Sequence, residues 1–482
     1  MSYLPETIPK ILVKIVVVSF IPFFKQRVTG GAQKILRQIS QYWAVTGHEV
    51  IILSPFRKET PHAFELDKNV VVKPILQLQK FPASCQTAPY NLSTLIVDIH
   101  RHTEWADVLY VLDGVLPYQF LSDNIPTVTD FHNFVFSDTL ANGLSFRRDL
   151  AIVHSQYVAD CLTDTFRPFC PTVQEKVEVI PYGFDLNAWQ SKTTDTVREL
   201  IPLPDDAIPL LYPHRPEPSK GLYEGLKAIA KLRTRLGGAE GDKLRLLIPL
   251  WSDGESKNDS PVYHQIKDYA QELGVDHLLV FHPWIGSELM AEYYSLGKAT
   301  LCLGNFIEAF GLVPVESILC GTPAIVSRVA AYRHILPEEL IAKVDYGDLE
   351  TAVDILEAII TGKSNFEKQI LEARQFVADN YSPQRTLAAQ EQAIANVELT
   401  PALPLKYAGP LQSDDTLRIP AWCYASSSGY YNDYQYAYES NSVLDRFLER
   451  VKLPLKLGDV LQLGFTEPEI ESLLKTGFLV RG

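Results

Sequence analysis

The first 55 residues admit few folds. ILVKIVVVSF (11–20) is a β-branched run of strand length, and VIILS (50–54) is a second one. Between them, TGGAQKILRQISQYWAVTGHEV (29–50) repeats its apolar residues at helical spacing. Ile35, Leu36, Ile39, Tyr42 and Trp43 share one face, and Gly47 closes the helix. Strand, glycine turn, helix and strand make a βαβ unit, which predicts a parallel sheet.

The same alternation continues. ADVLYVL (106–112), PTVTDF (126–131), LAIVHS (150–155) and VEVIPYG (177–183) read as further short buried strands. A boundary falls near 186–208, where a polar stretch runs into IPLPDDAIP (201–209) with its three prolines, and the pattern then restarts. PLLYPH (209–214), KLRLLIPL (243–250), HLLVFHP (277–283), ATLCLG (299–304) and TPAIVS (322–327) are strands separated by helical segments. Two doubly wound units in one chain predict two sheets facing a cleft, with binding residues at the carboxyl ends of the strands. A helix at 382–399 is expected to cross back to the first unit. From about 411 the chain changes character, and 426–442 is rich in tyrosine and small polar residues. TEPEIESLLKTG (466–477) carries a capping box, Thr466 with Glu469.

Composition excludes several function classes. The chain has 482 residues, too many for one small core, and is 46% hydrophobic and 21% charged, as soluble globular proteins are. A net charge of −14 argues against a nucleic-acid partner, because phosphate backbones need clustered cations. The six cysteines form no C-x-x-C pair, and Cys302 and Cys320 sit among apolar residues; buried reduced thiols and a cytoplasmic location are expected. The apolar run Ile11 to Phe24 is broken by Lys14 and Pro22 and is too short to span a bilayer.

Chemistry concentrates at a few positions. In NFIEAFGLVPVESILCGTPAIVS (305–327), Glu308 and Glu316 stand in an otherwise apolar stretch. Gly311 disfavours a helix interior and Pro314 suits the first helical position, so a turn at 308–312 should lead into a helix from about Val313. Its free N–H groups and positive dipole end would face the turn, and both carboxylates would flank a ligand there. A carboxylate accepts well from the two hydroxyls of a sugar diol. In HRPEPSKG (214–221), Arg215 and Lys220 follow a strand and suit a diphosphate. Gly30-Gly31 allows backbone amides to approach a phosphate or sugar, and His132 follows the strand in TVTDFHNF. Each has a plainer reading alone: a capping carboxylate, an Arg215–Glu217 surface pair, a structural histidine. The tyrosines at 430–438 read as packing. FIPFFKQR (20–27) reads as an acceptor loop rather than a membrane-dipping one.

Taken together these motifs resemble the retaining glycosyltransferases of the GT-B fold, in particular the large family four. The E-x7-E pair is Glu308 and Glu316, and the R-x4-K-G element is Arg215, Lys220 and Gly221. The amino-terminal glycine pair with G-H-x-V is Gly30, Gly31, Gly47, His48 and Val50, and the matches run in order across 11–398. The resemblance implies that Arg215 and Lys220 hold the donor diphosphate, Glu316 the ribose and Glu308 the donor sugar. The backbone of Phe310, Gly311, Leu312 and Val313 would contact sugar and phosphate, and His132 would line the donor-sugar side. It implies a front-face reaction without a protein nucleophile, in which the leaving phosphate helps to deprotonate the acceptor. No D-x-D triplet is present, and neither a metal nor a cofactor is expected. Departures from the family pattern are His214 for a small residue, Tyr182 for an asparagine, Asn305 for a serine, and Val329-Ala330-Ala331 where a glycine pair is usual.

The chain is therefore expected to hold an acceptor domain at 1–190, a nucleotide-sugar domain at 205–380, a crossover helix at 381–400 and an extension at 401–482. The expected activity is transfer of a hexose-type sugar from a UDP- or GDP-sugar to a hydroxyl of a saccharide, lipid-linked or small-molecule acceptor. A peripheral membrane contact and an oligomer or partner contact through 401–482 stay open. A disaccharide synthase or phosphorylase on the same fold, and a non-catalytic sugar-nucleotide scaffold, are the alternatives.

Overall fold

The computed structural model describes residues 12–26, 28, 30–78, 88–113, 124–136, 139–140, 146, 149–250, 261–363, 366–406 and 409–482. The chain forms two compact units: Met1–Tyr182 with Gln384–Ala421 and Val443–Gly482, and Gly183–Pro383 with Trp422–Ser442.

In the first unit the strands are β1 (Lys14–Ser19), β2 (Glu49–Pro55), β3 (Phe64–Asp67), β4 (Val70–Leu76), β5 (Val108–Leu112), β6 (Thr127–Phe131), β7 (Leu150–Val153) and β8 (Val177–Val179). They are ordered β3-β4-β2-β1-β5-β6-β7-β8. Every pair is parallel except β3 with β4. The helix Gly31–Val45 joins β1 to β2 and buries Ile35, Leu36, Ile39 and Trp43, four of the five residues expected on its inner face. Trp43 meets Tyr110 of β5 edge to face at 5.0 Å. Each such fully buried side chain contributes roughly 1.5–3 kcal/mol. His48 is structural: its ring is buried and Nδ1 accepts from the Val13 N–H at 3.0 Å. The helix Pro383–Asn396 packs in this unit, where Gln390 is buried beside the Tyr110 hydroxyl at 3.3 Å.

The second unit carries β9 (Ile208–Leu211), β10 (Leu244–Leu250), β11 (Leu279–Pro283), β12 (Ala299–Cys302), β13 (Ala324–Ser327) and β14 (Ala342–Val344). All pairs are parallel, in the order β11-β10-β9-β12-β13-β14. The helix Leu222–Leu236 covers one face, with Leu222, Leu226, Ile229 and Leu232 in a core shared with Leu210, Leu246 and Ile248. The strand order reverses between β9 and β12, which lie side by side. The loops leaving the carboxyl ends of such a pair diverge and leave room for a ligand.

The tail does not fold as one block. β15 (Thr416–Arg418) pairs antiparallel with β19 (Leu455–Lys456) and β20 (Val480–Arg481) in the first unit. Arg418 pairs with Asp164, whose other oxygen accepts from the Ala421 N–H at 3.0 Å. β16 (Cys423–Ser426), β17 (Gly429–Asn432) and β18 (Ala437–Glu439) form an antiparallel meander in the second unit. Tyr430 and Tyr431 are buried in it, so they pack. Asp433, just after β17, accepts from the Ala330 N–H at 3.1 Å and pairs with Arg333 at 2.7 Å. The capping box at Thr466 and Glu469 is present.

Phe20, Phe23 and Phe24 are buried, so these rings are core rather than a membrane-dipping edge; Arg27 lies outside the described residues. No described helix is long and apolar enough to cross a membrane. Cys161, Cys170, Cys302, Cys320 and Cys423 are buried, and Cys85 lies outside the described residues.

Candidate active site

In the second unit the loop after β9 and the loop after β12 are locked together. The Ser219 carbonyl accepts from the N–H groups of both Asn305 and Phe306, each at 2.9 Å. Gly221 has φ +86°, and a Cβ there would lie 2.2 Å from the Gly304 nitrogen. Only glycine permits both that conformation and that approach. The lock brings Lys220, 88 residues away in sequence, to Glu308: Nζ lies 2.6 Å from Oε1. The ammonium also sits over the Phe306 ring, 3.4 Å from its centroid. The two side chains are about one-fifth exposed, so the pair is partly screened from water and still open to a ligand. A recess beside it is lined by His214, Ser219, Lys220, Phe306, Glu308 and Tyr332.

His214 is buried, and its Nε2 has no hydrogen-bond partner among the described residues. Burial, helped by the Lys220 charge, pushes its pKa down to about 3, so the imidazole is neutral at ordinary pH. Arg215 does not line this recess: it is about half exposed and reaches Glu217 loosely at 3.9 Å.

The expected helix forms one residue earlier than its sequence suggests, over Leu312–Leu319, with Gly311 as its N-cap. Gly311 has φ +97°, and a Cβ there would lie 2.4 Å from the Tyr332 ring. Pro314 is therefore the third helical residue, where its missing N–H costs no intrahelical bond. Glu316 is half-buried on this helix and accepts from the Tyr294 hydroxyl at 3.1 Å. Burial, then the Glu316 charge, holds the Tyr294 phenol well above its usual range, so it stays a donor. Phe310 is buried against Tyr381, with centroids 5.4 Å apart; its side chain is core, and only its backbone is left for a ligand. Leu312 and Val313 open the helix and are half-buried.

A separate cluster lies in the first unit. Asp130, at the end of β6, receives His132 Nε2 at 3.0 Å on one oxygen and His154 Nε2 at 2.7 Å on the other. The Tyr110 hydroxyl donates to the same carboxylate, and Tyr182 reaches His132 Nδ1. His154 Nδ1 faces the Ile180 carbonyl at 2.8 Å. Asp130, His132 and His154 offer three metal-ligand-type atoms within 4.8 Å of one another; His132 is hydrogen-bonded to Asp130, and His154 lies in ion-pair contact with it. Burial opposes the charge on Asp130, but the two imidazoles overcome it and hold the carboxyl far below its usual range. Burial likewise opposes charge on His132, and Asp130 overcomes it and raises the pKa. Asp113 accepts from the His132 and Asn133 N–H groups at 2.7 and 3.2 Å, and desolvation pushes it up to about 6 against the His132 charge. Sequence reasoning placed His132 and noted Tyr182 only as a departure, but missed Asp130 and His154; the polar end of TVTDFH was the available signal. Gly30 caps the helix Gly31–Val45 in extended backbone, φ −174°, with nothing within 4 Å of a built Cβ. Its own conformation does not require glycine.

The raised His132 pKa carries a pH prediction. A folded-state pKa above the unfolded value of about 6.5 gives stability that is full below that pH and fades as pH rises through the folded value. In Asp130→Asn the desolvation remains and the carboxylate is lost, so the His132 pKa should drop below 6.5. Ring-resonance titration by NMR reads this directly, and an unchanged pKa would mean that Asp130 does not set it.

Two family models match this chain one after the other: Glycosyltransferase Family 4 over residues 29–188, and Glycosyl transferases group 1 over residues 194–376. The chain belongs to the family-four glycosyltransferases. A D-inositol 3-phosphate glycosyltransferase of Acidothermus cellulolyticus is 26% identical over 323 residues, 62% of this chain and 71% of that one. The Stackebrandtia nassauensis protein of the same description is 31% identical over 184 residues, but the match spans only 38% of this chain and 39% of that one. Among solved structures, sucrose-phosphate synthase from Thermosynechococcus elongatus superposes with TM-score 0.61 at 18% identity, covering 79% of this chain and 98% of that one. An Anabaena protein, HepE, in complex with UDP-glucose gives TM-score 0.61 at 15% identity, covering 80% and 99%. At such identities the shared property is the fold, which is GT-B with two Rossmann-like units.

Proposed function

We propose that this family-four enzyme moves a hexose-type sugar from a UDP- or GDP-linked donor to an acceptor hydroxyl, with retention at the anomeric carbon. One observation carries the reading: Lys220 and Glu308 are held 2.6 Å apart in a recess where the loops after β9 and β12 meet. A cation facing a leaving diphosphate and a carboxylate facing sugar hydroxyls are the two groups that the transfer needs. Arg215, half exposed on the same loop as Lys220, would swing toward the diphosphate. Glu316 would take the ribose diol, with Tyr294 holding the carboxylate in place. In the reaction the bond from the anomeric carbon to the diphosphate breaks, the bond to the acceptor oxygen forms on the same face, and the acceptor proton passes to the leaving phosphate. The relatives' printed names make inositol 3-phosphate the first acceptor to try.

A thermal-shift screen of UDP-, GDP- and ADP-sugars tests the donor, since a ligand at a hundred times its Kd adds about 2.7 kcal/mol of stability. Glu308→Ala should keep the nucleotide-dependent shift and lose transfer. No shift with any sugar nucleotide would sink the reading. Charge neutralisation by Arg215 and Lys220 further predicts that EDTA leaves the rate unchanged. Loss of activity on EDTA treatment, restored by Mg2+, would refute that part.

A further inference from the structure

The recess beside Lys220 holds a buried imidazole that the reading above does not use. His214 places a full imidazole in the lining of the recess. Its Nε2 is buried with no partner among the described residues, an arrangement that native structures seldom leave unmet. Its ring packs edge to face on Tyr212, with centroids 5.2 Å apart, which holds the imidazole in place.

Glu308, Lys220 and His214 on the wall of the recess differ in what they can exchange. Ionised Glu308 only accepts, Lys220 only donates, and a neutral histidine has one donor and one acceptor nitrogen. A phosphate oxygen only accepts; it would suit Lys220 but face the Glu308 carboxylate unfavourably. A hydroxyl both donates and accepts, so it can satisfy Glu308 and His214 together. We propose that His214 is a specificity-determining residue that hydrogen-bonds a hydroxyl of the donor sugar beside Glu308, and that it reads the sugar rather than the diphosphate. This rests on the reading of the second unit as the nucleotide-sugar site. Its depressed pKa keeps the ring neutral throughout the physiological range, so the contact should not titrate there.

Calorimetric binding of UDP, UDP-glucose and GDP-mannose to the full chain and to His214→Leu and His214→Gln tests the assignment. Leucine fills the space without a polar atom, and glutamine keeps a donor and an acceptor. In His214→Leu, the sugar nucleotide that the wild type prefers should bind about tenfold more weakly, and UDP alone should bind within twofold of wild type. His214→Gln should recover most of the loss. Equal weakening of UDP and the sugar nucleotide would place the contact on the diphosphate and overturn the proposal, as would unchanged affinity in both variants. A wild-type chain that binds neither UDP nor either sugar nucleotide would instead overturn the site reading itself. Should the leucine variant not fold, the glutamine variant with a shifted preference between the two sugar nucleotides would support the assignment, and one with an unshifted preference would overturn it.

Discussion

Lys220→Ala is expected to lower kcat/KM for the sugar nucleotide by at least about a hundredfold, the usual cost of removing one preorganised group that stabilises developing charge. The reason is positional. The ammonium sits on the Phe306 ring and against Glu308, about one-fifth exposed, where water screens it less than at an open surface. Its loss removes the cation and leaves the Glu308 carboxylate unneutralised next to the position proposed for the diphosphate. Stability should change little, by about 1 kcal/mol or less, because the pair is partly solvated. Lys220→Arg should recover only part of the rate, since a planar fork does not replace a compact ammonium at a ring face. Steady-state kinetics with the donor found by thermal shift decides this. A variant that keeps wild-type kcat/KM while folding normally would remove Lys220 from the reaction.

Asp433→Ala is expected to be the most damaging substitution in the tail. The Asp433 and Arg333 side chains are 1% and 5% exposed and lie 2.7 Å apart, and Asp433 also accepts from the Ala330 N–H. Truncation strands a buried guanidinium and a buried amide, which costs about 3–5 kcal/mol. In a unit of this size that corresponds to a fall in Tm of roughly 10 °C. Replacing both partners together, Arg333→Met with Asp433→Leu, should cost less, because no charge is left unpaired. Differential scanning calorimetry separates the two outcomes; a shift below about 2 °C for Asp433→Ala would mean that the meander does not support the Ala330 segment.

That contact also holds an unusual turn. Ala330 has φ +45°, a left-handed conformation that glycine adopts more easily. The carboxylate of Asp433, about a hundred residues on, receives the amide that this turn presents. The tail thus supplies in its second-unit part what the core sequence lacks. Nothing in the composition of 426–442 signalled it, because the meander is built from short antiparallel pairs and a single buried acid.

Most of the architecture was legible. Strand-length β-branched runs alternating with helical periodicity predict parallel sheets, and the prolines at 201–209 fall where one sheet ends and the next begins. The pair Glu308 and Glu316 stood out because carboxylates in an apolar stretch need a reason. Less legible was Arg215, whose spacing to Lys220 suggested convergence but whose side chain points to Glu217 and solvent. Spacing along a loop does not fix a direction, since the short 3-10 turn Pro218–Lys220 rotates Lys220 inward without carrying Arg215 with it.

The sequence by itself determined the βαβ repeats, the break between two units and the identity of the acidic and basic residues at strand ends. Those features are local: periodicity, turn chemistry and charge act over a few residues. Only the tertiary structure decided that β9 and β12 are neighbours, and so that Lys220 meets Glu308. It also decided that Tyr294 meets Glu316, that Asp130 is shared by His132 and His154, and that the tail divides between units. Each of those contacts joins residues that are separated along the chain or that point by pleat and turn geometry. Strand order and the close approach of Gly221 to Gly304 set them, and neither is written in any single segment.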